Sequence, residues 1–307
     1  KAPTTKLFPS ISSRAWEHPS DRAALQALRK VPGLDQMIRR VMPMVSERPL
    51  RIICAGSAVE VGPKQFAKIN KIYEEVLAVL DAPRRYDLFV TQNPVINAGA
   101  VGFEDPFIVL NSATVNQLSD KELRCVLGHE VGHILSDHVL YKTMLRIILR
   151  GAIVVLRMPV TGLAWMAVVG ALLEWDRKSE LSADRASLLA CQDPNVVRKS
   201  LLHIAGGVGK GASVKAFQEQ ARRYEEEGSK TDGVLKMLAL LGRRHPFPVQ
   251  RIKELDEWID SGEYERILGG DYALREDDPE PKETWQEWKQ TASDYADGFK
   301  SSADPVA

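Results

Sequence analysis

The feature that most constrains this chain is His129-Glu130-Val131-Gly132-His133, set inside an amphipathic run from Ser119 to Leu140. Residues four apart on a helix share one face about a turn apart, so both imidazoles can reach a single ion. Glu130 then stands one position round from the first histidine, placed to act as a base on water and not as a ligand. The pattern fixes only three letters, so its surroundings decide between a metal site and a structural histidine pair. Ser119-Asp120-Lys121-Glu122 reads as a capping box, which writes a helix start where the motif needs one. Leu123, Val126, Leu127, Ile134 and Leu135 map the inner side of that helix, and Glu130 falls among them. A carboxylate on an apolar face is costly without a partner, and a metal site supplies one.

Zinc held by two histidines needs a further protein ligand, and a carboxylate from a second helix is a usual source. The run EWDRKSELSADRASLLAC, Glu174 to Cys191, has helical periodicity and carries Glu180 and Asp184 one turn apart. Glu180 is the candidate third ligand. Asp184 can accept a hydrogen bond from the far nitrogen of a ligating histidine, fixing its tautomer. Alone, such a pair is a solvated helix face; among Leu181, Ala183, Ala186 and Leu188, and after the histidine helix, it reads as the rest of a metal site. Cys125, one turn before His129, is a further possible donor, although buried packing suits an isolated cysteine on an apolar face better.

Lysine plus arginine equals aspartate plus glutamate at 41 each, which gives no global field for nucleic acid. Three scattered cysteines make a poor disulfide framework and fit a reducing compartment. No signal-peptide pattern is visible at the start, so a cytoplasmic location is expected, with membrane association as the alternative. The apolar region from Met144 to Trp175 raises that alternative. Its longest uninterrupted run, Val160 to Leu173, is about fourteen residues, short of the roughly twenty that span a bilayer. Arg146, Arg150 and Arg157 break the first half, so two core helices joined around Met158-Pro159, or a hairpin dipping into an interface, are expected.

Elsewhere, short helices are expected over Asp21 to Lys30 and Asp35 to Val45, a strand at Arg51-Ile52-Ile53-Cys54, and a helix opened by Pro63 and running to Leu80. Tyr86 to Thr91 and Phe107 to Leu110 are β-rich and flank Asn97-Ala98-Gly99-Ala100-Val101-Gly102. Small residues there would let another backbone approach, so Asn97, Ala98 and Gly99 are candidates for an exposed edge that binds an extended peptide. An ordinary hairpin or bulge is the plainer alternative. The stretch AGGVGKGAS from Ala205 fails the phosphate-loop spacing and reads as a helix end and loop.

Four stretches, NAGAVG, LSDKELRCVLGHEVGHILSDH, RKSELSADRASLLA and RRHPFPVQRIKEL, together resemble the zinc metallopeptidases that include HtpX-like proteases and CAAX prenyl proteases. The resemblance runs from about Asn97 to Leu255. It implies a gluzincin-type zincin fold with one zinc ion per chain on His129, His133 and Glu180, Glu130 as catalytic acid/base, and Asp184 behind the ligands. Relatives of that kind often carry transmembrane helices between the second histidine and the glutamate ligand, where this chain has only the arginine-broken apolar region. His245, held between arginine and proline on a loop, suits a site wall that donates a hydrogen bond to an oxyanion. A turn before the final helix is the other reading, and the resemblance favours the site. Arg251 is a weaker candidate of the same kind, with a structural role as its alternative, while His18, His138 and His203 are read as lying outside the site.

The expected protein is therefore α+β and mainly helical, with a small mixed sheet next to the histidine helix. It divides into an N-terminal helical arm over 1–50, a metallopeptidase domain over 51–270 and an acidic tail with a short helix over 271–307. Its expected activity is internal cleavage of peptide or protein substrates by a zinc-activated water with Glu130 as base. A catalytically latent or non-catalytic zinc-stabilised scaffold that binds partner proteins is the alternative. Peripheral membrane contact, if present, would run through 144–175.

Overall fold

In the computed structural model, residues 5–32, 34, 47–102, 105–150, 162–207, 211–228 and 247–278 are described. In chain order the elements are helices α1 (Pro19–Arg29) and α2 (Glu47–Ser57), the short strand β1 (Val59–Glu60) and helix α3 (Ala67–Val79). Strands β2 (Leu88–Thr91), β3 (Ala98–Val101) and β4 (Phe107–Asn111) follow. Then come helices α4 (Ser112–Gln117), α5 (Asp120–Leu135), α6 (His138–Arg150), α7 (Gly162–Cys191), α8 (Pro194–Ile204), α9 (Val214–Gly228), α10 (Pro248–Asp260) and α11 (Glu263–Leu268). The architecture is mainly helical with one small mixed sheet, as the patterning predicts.

Helix α5 begins where its capping box is written. The Glu122 carboxylate accepts from the Ser119 N–H at 2.9 Å, and the Ser119 hydroxyl accepts from the Glu122 N–H. It ends at Ser136, because Asp137 takes a left-handed backbone (φ 56) and turns the chain into α6. Helix α7 has 30 residues, about 45 Å of helix at 1.5 Å per residue, and its second half lies along α5. The two helices approach closely because small residues line the seam: a Cβ on Gly128 would fall 2.5 Å from the Ala190 Cβ, and one on Gly132 would fall 2.5 Å from the Ala186 Cβ.

The sheet order is β1-β2-β4-β3, with β2 and β4 parallel and β3 antiparallel to β4 at the edge. The predicted Asn97 to Val101 edge is thus a real strand edge, and it faces α5. One core joins the sheet, α3, α5 and the second half of α7 with Phe8, Ile11 and Trp16 of the N-terminal segment. A second joins Leu28 of α1 and Leu34 to Met144, Leu145 and Ile148 of α6 and to Val168, Leu172 and Trp175 of α7. The segment after α11 also returns to the N-terminus, where the Ser12 N–H donates to the Ala273 carbonyl at 2.9 Å.

Two local expectations are corrected. Arg51 to Cys54 is not a strand but part of α2, with Ile52 and Ile53 exposed and Arg51 paired to Asp87 and Asp105. Its β-branched run misleads because neither isoleucine is buried against a sheet. Pro63 does not open the following helix: Gly62 and Gln65 close a turn on each other, and α3 starts only after Phe66, itself left-handed at φ 53. Among the described residues no helix is long and apolar enough to cross a membrane. The Met158-Pro159 join, the helix over Asp35 to Val45, His245 and the tail beyond 278 lie outside the described residues.

Candidate metal centre

The close seam between α5 and α7 brings His129 and His133 opposite Glu180. His133 and Glu180 are buried, and ligand atoms of the three residues lie within 4.8 Å of one another. His129 Nε2 is 3.4 Å from one Glu180 oxygen and His133 Nε2 is 3.2 Å from the other. Tetrahedral zinc with bonds of about 2.0–2.1 Å spaces its donors about 3.3–3.4 Å apart, so two nitrogens and a carboxylate in this arrangement fit the ion.

Behind the donors each group is held in turn. His129 Nδ1 is 3.1 Å from Asp184 Oδ1, as predicted for a carboxylate that orients a ligand. Arg251 of α10 grips Asp184 with two bonds, Nε to Oδ2 at 2.7 Å and one terminal nitrogen to Oδ1 at 2.6 Å, and lies 3.4 Å from Glu180. On the other side of Glu180, the buried Lys142 ammonium donates to its Oε1 and to Asp176 Oδ1, both at 2.7 Å. His133 Nδ1 meets His138 Nδ1 at 2.9 Å.

These contacts set the charges. Burial works against a cation at His129, but its hydrogen bonds to the Asp184 and Glu180 carboxylates outweigh it and raise the pKa to about 9. At His133 burial and the nearby Lys142 act together and hold the ring well below its ordinary value, which keeps it neutral as a ligand must be. Burial also opposes charge on Asp184 and Lys142. Pairing with Arg251 nevertheless lowers Asp184, and the Asp176 and Glu180 carboxylates raise Lys142.

Glu130 lies on the same helix, buried, with its carboxylate accepting from the Ala100 N–H of β3 at 2.7 Å. The Ala100 carbonyl accepts from Arg146 of α6 at 2.5 Å. The pairing of β3 with β4 directs the backbone groups of Ala98, like those of Ala100, toward the open edge. The edge therefore opens at Ala98, beside a cleft of about 300 Å³. Asn97, Ala98, His129, Glu130, Glu180 and Arg251 line it on one side, and Val126, Val197, Leu201 and Ile204 give it an apolar wall.

The structure thus brings together His129, Glu130, His133, Glu180, Asp184, Asn97 and Ala98, with Gly99 next along the strand; His245 lies outside the described residues. Cys125 lines the cleft but donates its thiol to the Lys121 carbonyl and is not among the clustered donors. Arg251, with its structural alternative, is placed as the cation that holds Asp184. One expectation changes. His138, read as lying outside the site, touches His133. Five positions apart on a continuous helix the two would point different ways, and the left-handed turn at Asp137 carries His138 round. Lys142 could have been sought from charge alone, since clustered buried carboxylates require a buried cation.

A buried two-histidine, one-carboxylate donor set, with a glutamate beside it and a strand edge along it, defines the metallopeptidase class. The sequence profile described as peptidase family M48 matches residues 63–259. The chain belongs to that family, with HtpX-type relatives as its motifs predict. It is 34% identical over 271 residues to the plastoglobule-localized metallopeptidase 48, chloroplastic, of Arabidopsis thaliana, covering 85% of this chain and 77% of that one. It is 29% identical over 116 residues to a protease HtpX homolog of Caldanaerobacter subterraneus subsp. tengcongensis, covering 37% of this chain and 38% of that one. No solved structure matches the chain.

Proposed function

We propose that this metallopeptidase is a zinc endopeptidase of gluzincin type, with one zinc ion per chain held by His129, His133 and Glu180 and with Glu130 as general acid/base. The observation that carries this reading is the clustering of those three donors within 4.8 Å, with the Glu130 carboxylate on the same cleft wall. Bound there, zinc supplies Lewis acidity toward water and toward a peptide carbonyl. Glu130 takes a proton from the attacking water and returns it to the leaving amine. Asp184, gripped by Arg251, keeps the His129 ring in the tautomer that leaves Nε2 free to bind.

An extended peptide pairs with the backbone of Ala98 and runs along the edge through Asn97 and Gly99. The apolar wall of Val126, Val197, Leu201 and Ile204 suits an apolar side chain next to the scissile bond. Arg251 is already engaged by Asp184 and Glu180, so we read recognition as going through the peptide backbone at the strand edge, which suits internal cleavage. The exposed Leu149 at the end of α6, together with the location in the plant relative's name, supports peripheral contact with a lipid surface over 144–175.

The test is Glu130→Gln in the full chain. It is expected to retain one zinc per chain and to lose cleavage of an unfolded protein such as casein by about 10³-fold or more. Activity near wild type in the zinc-loaded variant refutes the assignment. A latent resting form is the second reading, favoured by one observation: Glu130 and Arg146 already occupy the Ala100 backbone groups where a peptide would otherwise pair. Under that reading the zinc-loaded wild type is silent and Arg146→Ala is active.

A further inference from the structure

We propose that the N-terminal helix completes the metal site: Asp21, acting through His138, is a positioning residue for the ligand His133. This rests on reading His133 as a ligand, and it extends the site to a segment outside the family match, which begins at residue 63.

The three side chains form a continuous buried chain. His133 Nδ1 is 2.9 Å from His138 Nδ1, and His138 Nε2 is 3.0 Å from Asp21 Oδ2. Exposure is 2% at His133, 3% at His138 and 1% at Asp21, so water is not a competing partner. The Oδ2 that faces His138 is held by a second bond, from the Ser182 hydroxyl of α7 at 2.6 Å, while Oδ1 is buried without a hydrogen-bond partner. That hydroxyl also accepts the His18 N–H at 2.9 Å, so one serine, two positions beyond Glu180, ties the start of α1 to the ligand helix. Helix α1 is built to present Asp21 here: His18 caps it, Pro19 occupies its first position and Asp21 falls in its first turn.

The carboxylate decides the tautomers. Asp21 can only accept, so the proton of a neutral His138 sits on Nε2 and its Nδ1 carries a lone pair. His133 must then donate from Nδ1, which leaves its Nε2 lone pair directed at the metal. The outcome matches the one Asp184 achieves directly at His129, with one ring interposed. Both ligand histidines are thus backed by a carboxylate, one from α7 and one from α1. The ring of His138 is itself held edge-on by Trp175, at 5.6 Å between centroids.

The experiment measures zinc affinity of the full chain by competition with a chromophoric chelator. Phe at position 138 keeps the aromatic packing on Trp175 and removes the acceptor, whereas the Gln amide can still accept from His133 and donate to Asp21. His138→Phe is expected to weaken zinc binding by about 10–100-fold, with His138→Gln recovering most of it. A packing role predicts the opposite order, with Phe the better replacement, and that order overturns the proposal. Equal affinities for His138→Phe and wild type also overturn it. Asp21→Asn, which keeps the shape, is expected to weaken binding at least about threefold and carries the test if His138→Phe does not fold. His133→Ala separates the two readings: full zinc affinity in that variant refutes the site itself, whereas loss there with no change at His138 refutes only the relay.

Discussion

Gly132 is where the fold and the metal site make the same demand. A Cβ at that position would lie 2.5 Å from the Ala186 Cβ and 3.6 Å from the Ala183 Cα. Since ordinary contact begins at 3.4 Å, Gly132→Ala must part α5 from α7 by about 1 Å at this point. Two terms oppose each other in the stability. Alanine is better than glycine inside a helix by about 0.8–1.0 kcal/mol, while overpacking a tight seam costs about 1–3 kcal/mol. The net is a loss of about 0–2 kcal/mol, a modest change in a urea midpoint. The metal site responds more strongly, because Glu180 rides on α7 and the histidines on α5. A shift of about 1 Å exceeds the roughly 0.5 Å tolerance within which such constellations work, and zinc affinity is expected to fall by tenfold or more. Gly170→Ala is the control. It lies on exposed helix with nothing within 4 Å of a Cβ, and should gain about 0.8–1.0 kcal/mol with no change in zinc binding. Ala186→Gly added to Gly132→Ala removes the clashing methyl and should restore zinc affinity, a coupling that a double-mutant cycle measures. The reasoning is refuted if Gly132→Ala alone stabilises the protein by the full helix-propensity gain and binds zinc as the wild type does.

Lys142→Met should destabilise the protein by about 3–5 kcal/mol in urea unfolding, because it leaves the buried Asp176 unpaired. Adding Asp176→Asn should recover part of that loss, and a Lys142→Met variant within about 1 kcal/mol of wild type contradicts the pairing. The acid limb gives a further check. Burial opposes the Asp21 charge, but His138, through charge and then hydrogen bond, together with the Ser182 bond and the Lys142 charge, lowers its pKa below the ordinary 3.8. A folded-state pKa below the unfolded value contributes stability that is complete above about pH 4 and lost as pH falls through the folded pKa. The stability gap between wild type and Asp21→Asn should therefore narrow below about pH 4; a gap that stays constant from pH 7 to pH 3 rules the contribution out.

What the sequence made legible was whatever helix periodicity fixes. His129, Glu130 and His133 share one helix, and Glu180 and Asp184 share another, so their relative positions followed from spacing and needed only the seam to meet. The β3 strand is legible only as one of two readings, an edge or an ordinary hairpin, and its pairing with β4 makes it the edge of the sheet. Less legible was everything set by tertiary approach. Arg51 to Cys54 carries the residues of a strand, yet it lies in helix α2 with Ile52 and Ile53 exposed, and the partners of its Arg51 lie at Asp87 and Asp105, far along the chain. His138 was passed over because a continuous helix would carry it off the face of His133, and one left-handed residue at Asp137 undoes that. Asp21 carries no local signal at all, since its role depends on α1 docking over α7 more than a hundred residues downstream.

The same seam explains why so much charge can be buried here. Asp21, Glu130, Asp176, Glu180 and Asp184 are all buried, against the cations Lys142 and Arg251 and a His129 ring whose pKa is raised to about 9. Each carboxylate has a specific partner, yet the sum remains negative in a region where isolated charge is expensive. Under the proposed reading, a divalent cation between His129, His133 and Glu180 offsets that excess. The small residues at 128, 132, 183, 186 and 190 bring the two helices close enough for side chains of both to reach such an ion. Under that reading the glycines of the histidine helix serve the ion as directly as the histidines do, because their close approach is what brings Glu180 opposite His129 and His133.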